Sequence, residues 1–142
     1  MKEQTKVLKQ EKINNYFSAY NQKDVLAMLK LFSHDAMISF IPLGENGAGE
    51  VNDLGPVIWS GLFSSFPNIR AKINRVKFDE LKNYVCEVHI TGTQVDDFAG
   101  IKNHGLSFKS DHIFVFHFDE QGKIDRMSVN WDHNDFIRQL GQ

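Results

Sequence analysis

The chain of 142 residues has one cysteine, three prolines, no excess of either charge and no long apolar run. Each scarcity excludes something. A lone thiol cannot close an internal disulfide, and Cys86 shares a strand face with Tyr84, Val88 and Ile90, which predicts a buried inert thiol rather than a nucleophile. Sixteen basic residues stand singly against 18 acidic ones for a net charge of −2, so nucleic acid is not an expected partner. No apolar run approaches the roughly 18–20 residues of a membrane span, and the start MKEQTKVLKQEK lacks the apolar centre of a secretory signal. No membrane association and a cytoplasmic location are therefore expected. The six histidines show no HxH or HExxH spacing, so no metal site is expected. A glycine-rich phosphate loop, a GxSxG elbow and a CxxC pair are missing as well, which leaves nucleotide binding and covalent catalysis without support.

What the chain does hold is aromatic bulk. Twelve phenylalanines, two tryptophans and three tyrosines supply a core or the wall of an apolar cavity. At this length a single domain spanning 1–142 is expected, burying roughly two-thirds of its unfolded surface.

The pattern runs helical first. Ile13, Tyr16, Phe17 and Tyr20 form a stripe at i, i+3, i+4, i+7. Asp24 is placed to cap a second short helix carrying Val25, Met28, Leu29 and Phe32. A strand over Ala36–Ile41 ends at Pro42, and Gly44 to Asn52, rich in glycine and glutamate, is expected as a mobile surface loop or lid. Asp53 to Phe63 predicts a third helix with Pro56 in its first turn. Four strands follow over 71–78, 84–93, 106–118 and 123–132, with tight turns at Lys82-Asn83 and Glu120-Gln121-Gly122. A last helix spans 134–140. Helices followed by hairpin-linked strands predict an α+β fold, N-terminal helices packed on one face of a curved, mainly antiparallel sheet with a pocket at its open end.

Two strand faces carry the candidate chemistry. In the long strand Phe108, Ser110, His112, Phe114, Phe116 and Phe118 share a face that must be inside, which places His112 among aromatics and depresses its pKa. A core histidine bonded to a backbone carbonyl is the competing expectation. In the last strand one set of alternate positions reads Ile124, Arg126, Ser128, Asn130, Asp132; if this set faces inward at its far end, an amide and a carboxylate enter the protein. General acid–base chemistry is then carried by Asp132 and His112, with Asn130 able to donate to an oxyanion, and with Asp111 the rival carboxylate should a bulge invert the faces. A separation of about 6–7 Å between Asp132 and His112 across one cavity would favour catalysis, and a solvent-facing member would favour binding. Trp59, Phe40, Phe66, Tyr16 and Phe114 are expected to join Asn130 in holding an apolar substrate.

Several short pieces then line up. Asn21-x-x-Asp24, Phe32-x-x-Asp35-Ala36, Phe66-Pro67-Asn68-Ile69, Gly92-Thr93, Phe98-x-Gly100-Ile101, Gly105, Gly122-Lys123-Ile124, Trp131-Asp132 and Gln139-Leu140-Gly141 stand in the order and spacing of a known family. The chain resembles the SnoaL-like polyketide cyclases of the nuclear transport factor two-like superfamily over nearly its whole length. The resemblance implies a cone-shaped α+β barrel, a homodimer, a deep pocket for a small hydrophobic molecule and no cofactor. It also implies acid–base chemistry in which an aspartate, Asp132 or a neighbour, takes a proton from an activated carbon and the enolate closes a ring, with His112 as proton partner. The chain departs from the family at Gln94, where a histidine commonly follows Gly-Thr, and at the acidic pair Asp96-Asp97. Because the superfamily also hosts binding-only members, a non-catalytic small-molecule-binding module is the alternative.

Overall fold

The computed structural model describes residues 2–79 and 82–142. The chain runs α1 (Lys2–Asn21), α2 (Val25–Leu29), β1 (Phe32–Phe40), a 3-10 turn (Ile41–Gly47), β2 (Ala48–Glu50) and α3 (Val51–Ser65). β3 (Arg70–Phe78), β4 (Asn83–Thr93), β5 (Ser107–Phe118), β6 (Ile124–Trp131) and α4 (His133–Gln139) complete it. The α+β architecture is the expected one: helices pack on one face of a curved, unclosed six-stranded sheet ordered β2-β1-β6-β5-β4-β3. All pairings are antiparallel except β1 with β6. No described helix is long and apolar enough to cross a membrane.

Alternation drives the sheet. Along β4 every second residue from Tyr84 to Gly92 is buried, and along β5 the same holds from Phe108 to Phe118. The α1 stripe Ile13, Tyr16, Phe17 and Tyr20 is buried against this face, Tyr16 meeting Phe116 at 5.4 Å and Phe17 meeting Phe114 at 4.9 Å between ring centroids. Cys86 is buried, as expected, and desolvation pushes its thiol up to about 12, so it stays protonated near neutral pH.

Several resemblance motifs turn out to be joints. Asn21 lays its side-chain amide along β3, accepting from Ala71 N–H at 2.8 Å and donating to Ala71 C=O at 3.0 Å. Gln139 does the same to Lys109 on β5, at 2.9 Å for both bonds. Asp24 caps α2 by accepting from Ala27 N–H at 3.1 Å.

Three local expectations are corrected. Helix α2 stops at Leu29, and Phe32, expected on its stripe, instead opens β1 ahead of the expected strand start at Ala36. The stretch 44–52 is not a free loop: a 3-10 turn leads into β2, which pairs with β1 through Met37↔Glu50, Ile38↔Gly49 and Ser39↔Ala48. Helix α3 begins at Val51, earlier than expected, so Pro56 lies beyond its first turn. Gly55 sits beneath Trp59, where an added Cβ would lie 2.9 Å from the indole.

Candidate functional site

The phenylalanine face of β5 carries His112 inward, paired across the ladder with Val88 on one side and Trp131 on the other. His112 is 7% exposed. It stacks on Trp131 at 5.1 Å and 27°, and its Nδ1 lies 3.4 Å from the Ser110 carbonyl. Desolvation pulls its pKa down to about 4; the Ser110 carbonyl and Asp111 oppose this, and His89 adds to it. The imidazole is thus neutral at physiological pH. The core-histidine expectation and the pocket expectation both describe it, since the bonded ring also lines a cavity.

That cavity is bounded by residues of the sheet and of the helices and loops packed on it. Phe40 of β1, Phe114 of β5, and Val129 and Trp131 of β6 form one side, while Ile58 and Leu62 of α3, Leu43 and Phe98 close the other. His133 and Phe136 of α4 complete the wall. The free volume is about 50 Å³, room for a few water-sized groups. Trp131 donates its indole N–H to His133 Nδ1 at 3.2 Å. Among the described residues the lining contains no carboxylate. A groove of about 400 Å³ shares Leu43, Ile58 and Phe98 with the cavity, so these three side chains border both spaces. Phe98 is held by a tight turn in which Ala99 and Gly100 have φ of 48° and 78° and Phe98 and Ile101 exchange bonds of 3.0 and 2.7 Å. Gln94, buried, donates to the Ile101 carbonyl at 2.9 Å and braces that turn.

The expected site residues divide. His112, Phe40 and Phe114 line the cavity. Asn130 and Asp132 do not; both are exposed. The cause is a bulge. His117 pairs with Arg126 and Phe118 with Ile124, which leaves Asp125 as an extra residue in β6. The alternation changes phase there, so Met127 and Val129 are buried and Trp131 faces the cavity, while Arg126 and Asn130 turn to solvent. Asn130 accepts from the Trp131 N–H at 3.0 Å, and Asp132 caps α4 by accepting from Asp135 N–H at 3.0 Å. Asp111 lies on the opposite face with its side chain 83% exposed, bonded to His89 Nδ1 at 2.8 Å. Trp59, Phe66 and Tyr16 are fully buried in the core rather than the cavity wall; Tyr16 packs on Trp59 and Phe32. Burial raises the Tyr16 pKa, keeping the phenol neutral.

Trp131 and His133 were missed. Their signal was the apolar triple Met127-x-Val129-x-Trp131, which marks the inward phase of the second half of β6. Among the described residues no group of three or more His, Cys, Asp or Glu side chains could hold a metal ion.

Comparisons with known proteins agree on the architecture. The profile of the SnoaL-like domain family matches residues 13–127. No curated protein matches the chain. Among solved structures the chain is similar to a candidate SnoaL-like polyketide cyclase from Jannaschia sp. CCS1, with a TM-score of 0.82 at 18% identity over 94% of this chain and 92% of that one. It is similar to IdmH, a candidate polyketide cyclase from Streptomyces antibioticus, with a TM-score of 0.77 at 18% identity over 94% and 99%. SalBIII, an epoxide hydrolase/cyclase-like enzyme with a role in pyran ring formation in the polyether salinomycin, matches with a TM-score of 0.75 at 20% identity over 95% and 97%. At such identities the likeness is one of fold.

Proposed function

The chain belongs to the SnoaL-like domain family, and from that premise we propose that it is a cofactor-free enzyme acting by acid–base chemistry on a small apolar carbonyl compound. The observation that carries the proposal is His112, a buried neutral imidazole in the wall of an otherwise apolar cavity. In the proposed step the imidazole takes a proton from a carbon next to the carbonyl. The C–H bond breaks, an N–H bond forms, and the electron pair moves onto the carbonyl oxygen. A low pKa reflects the difficulty of charging the ring in an empty apolar wall. A developing enolate beside it would offset that difficulty, so proton transfer is coupled to substrate charge. With Asp132 turned to solvent, the aspartate–histidine dyad is not part of the proposal.

Turnover of ketone and ester substrates by wild type and variants tests it. His112→Gln should lower kcat/KM by roughly 10²–10⁴-fold, while Asp132→Asn should stay within about twofold, the scale of a surface change remote from chemistry. Full activity of His112→Gln on a substrate that wild type converts would sink the proposal.

A second reading, a non-catalytic small-molecule-binding module, is favoured by the missing carboxylate in the lining. Retention of an apolar ligand in native mass spectrometry without turnover would support it. A homodimer formed through the outer sheet face and a cytoplasmic location belong to the same proposal; half-exposed Ile113 amid Arg75, Glu87, His89 and Asp111 supports the first. The buried free thiol of Cys86 is compatible with the second.

A further inference from the structure

We infer that the cavity is wired for an uncharged ligand carrying a hydrogen-bond donor and an acceptor on an apolar body, with His112 accepting from the ligand and His133 donating to it. This rests on the reading of the cavity as a ligand site.

The proton on each ring follows from what its Nδ1 faces. The Ser110 carbonyl can only accept, so Nδ1 of His112, 3.4 Å away, carries the proton. The reverse tautomer would set two lone pairs against each other inside an apolar wall, where water does not screen their repulsion. A neutral imidazole has one N–H, and Nε2 of His112 therefore keeps a lone pair. At His133 the logic inverts. The Trp131 indole N–H can only donate, so His133 Nδ1, 3.2 Å away, holds the lone pair and the neutral ring's proton sits on Nε2.

One indole fixes both rings. Trp131 stacks on His112 at 5.1 Å and meets His133 edge-on at 5.9 Å and 70°. Phe136 backs His133 at 6.1 Å, and Phe114 flanks His112 at 6.4 Å. Two imidazoles of opposite polarity thus share the wall of one cavity. The rest of that wall is almost entirely apolar, so an ionised ligand group would lose hydration without gaining a counter-charge. A hydroxyl and a carbonyl on one small hydrocarbon frame match the polarities of the two rings; a hydrocarbon alone matches neither. With about 50 Å³ in the cavity, only this polar end of a larger ligand would sit there, its remainder following the groove that shares Phe98.

Two measurements decide the matter. Two-bond proton–nitrogen correlation spectra of the labelled wild-type protein near neutral pH should show His112 protonated at Nδ1 and His133 at Nε2. Calorimetric titration with 2-hydroxycyclohexanone, cyclohexanone, cyclohexanol and methylcyclohexane should then rank the hydroxyketone first, by roughly fivefold to tenfold for each hydrogen bond gained. His112→Phe should erase the advantage conferred by the hydroxyl, and His133→Phe that conferred by the carbonyl, both variants checked for native circular dichroism. Reversed tautomers, or a wild-type protein that binds the four compounds equally or not at all, overturn the inference. Because the spectra need neither substrate nor variant, they separate its failure from that of the acid–base proposal, which stands on turnover alone.

Discussion

At His112, burial withholds the water that would stabilise imidazolium, and the folded ring holds its proton only near pH 4 against an ordinary value of 6.5. Between those values the unfolded chain binds a proton that the folded chain refuses. Stability should therefore be complete above pH 6.5 and fall as the pH drops toward 4, by at most roughly 3 kcal/mol from this residue. Urea unfolding of wild type and His112→Phe at neutral pH and near pH 4.5 checks this; the variant should show the smaller loss on acidification. An equal loss in both would remove His112 as the cause. The inward direction of His112 was legible in the sequence, because phenylalanines at every second position leave one choice of inner face. The proton position on its ring was not, since that depends on a carbonyl within hydrogen-bond reach.

Elements obey a different rule. Strand β6 has two halves of opposite phase, and an alternation pattern read straight through the bulge at Asp125 assigns the second half wrongly. Its end then becomes the start of α4, where Asp132 serves the helix as a cap. Asp132→Ala should cost about 1 kcal/mol of stability without changing affinity for a cavity ligand, measurable as a lower urea midpoint at unchanged ligand Kd. A large loss of affinity at unchanged stability would restore Asp132 to the site. Strand β2 escaped the sequence for a related reason: with three residues, Ala48, Gly49 and Glu50, it has no pattern of its own and exists through its pairing with β1. Helix α1 and the start of α2 were legible because the α1 stripe is local and the Asp24 cap lies within one turn of what it caps; the end of α2 was not, since Phe32 fits the helical spacing yet opens β1.

For the whole molecule the parallel pairing of β1 with β6 matters most. It sets Phe40 opposite Val129, so residues from both ends of the chain meet Phe114 in one wall. The outer face of β3, β4 and β5 is left with Arg75 near Glu87 at 3.8 Å, the His89–Asp111 pair and Ile113, 39% exposed. If two copies meet there, light scattering should give twice the chain mass of 16.3 kDa, and Ile113→Glu should shift the mass toward a monomer by burying an unpaired charge. A monomeric wild type would exclude the dimer.

By itself the sequence determined the α+β class, the inner face of β5 and the aromatic supply, because these rest on periodicities of two and 3.6 residues and on local caps. The tertiary structure alone decided that Asp132 faces water and that Trp131 and His133 join His112. A bulge reverses a strand's phase through the register of its neighbour, and a cavity wall is assembled from side chains whose closeness no local pattern records.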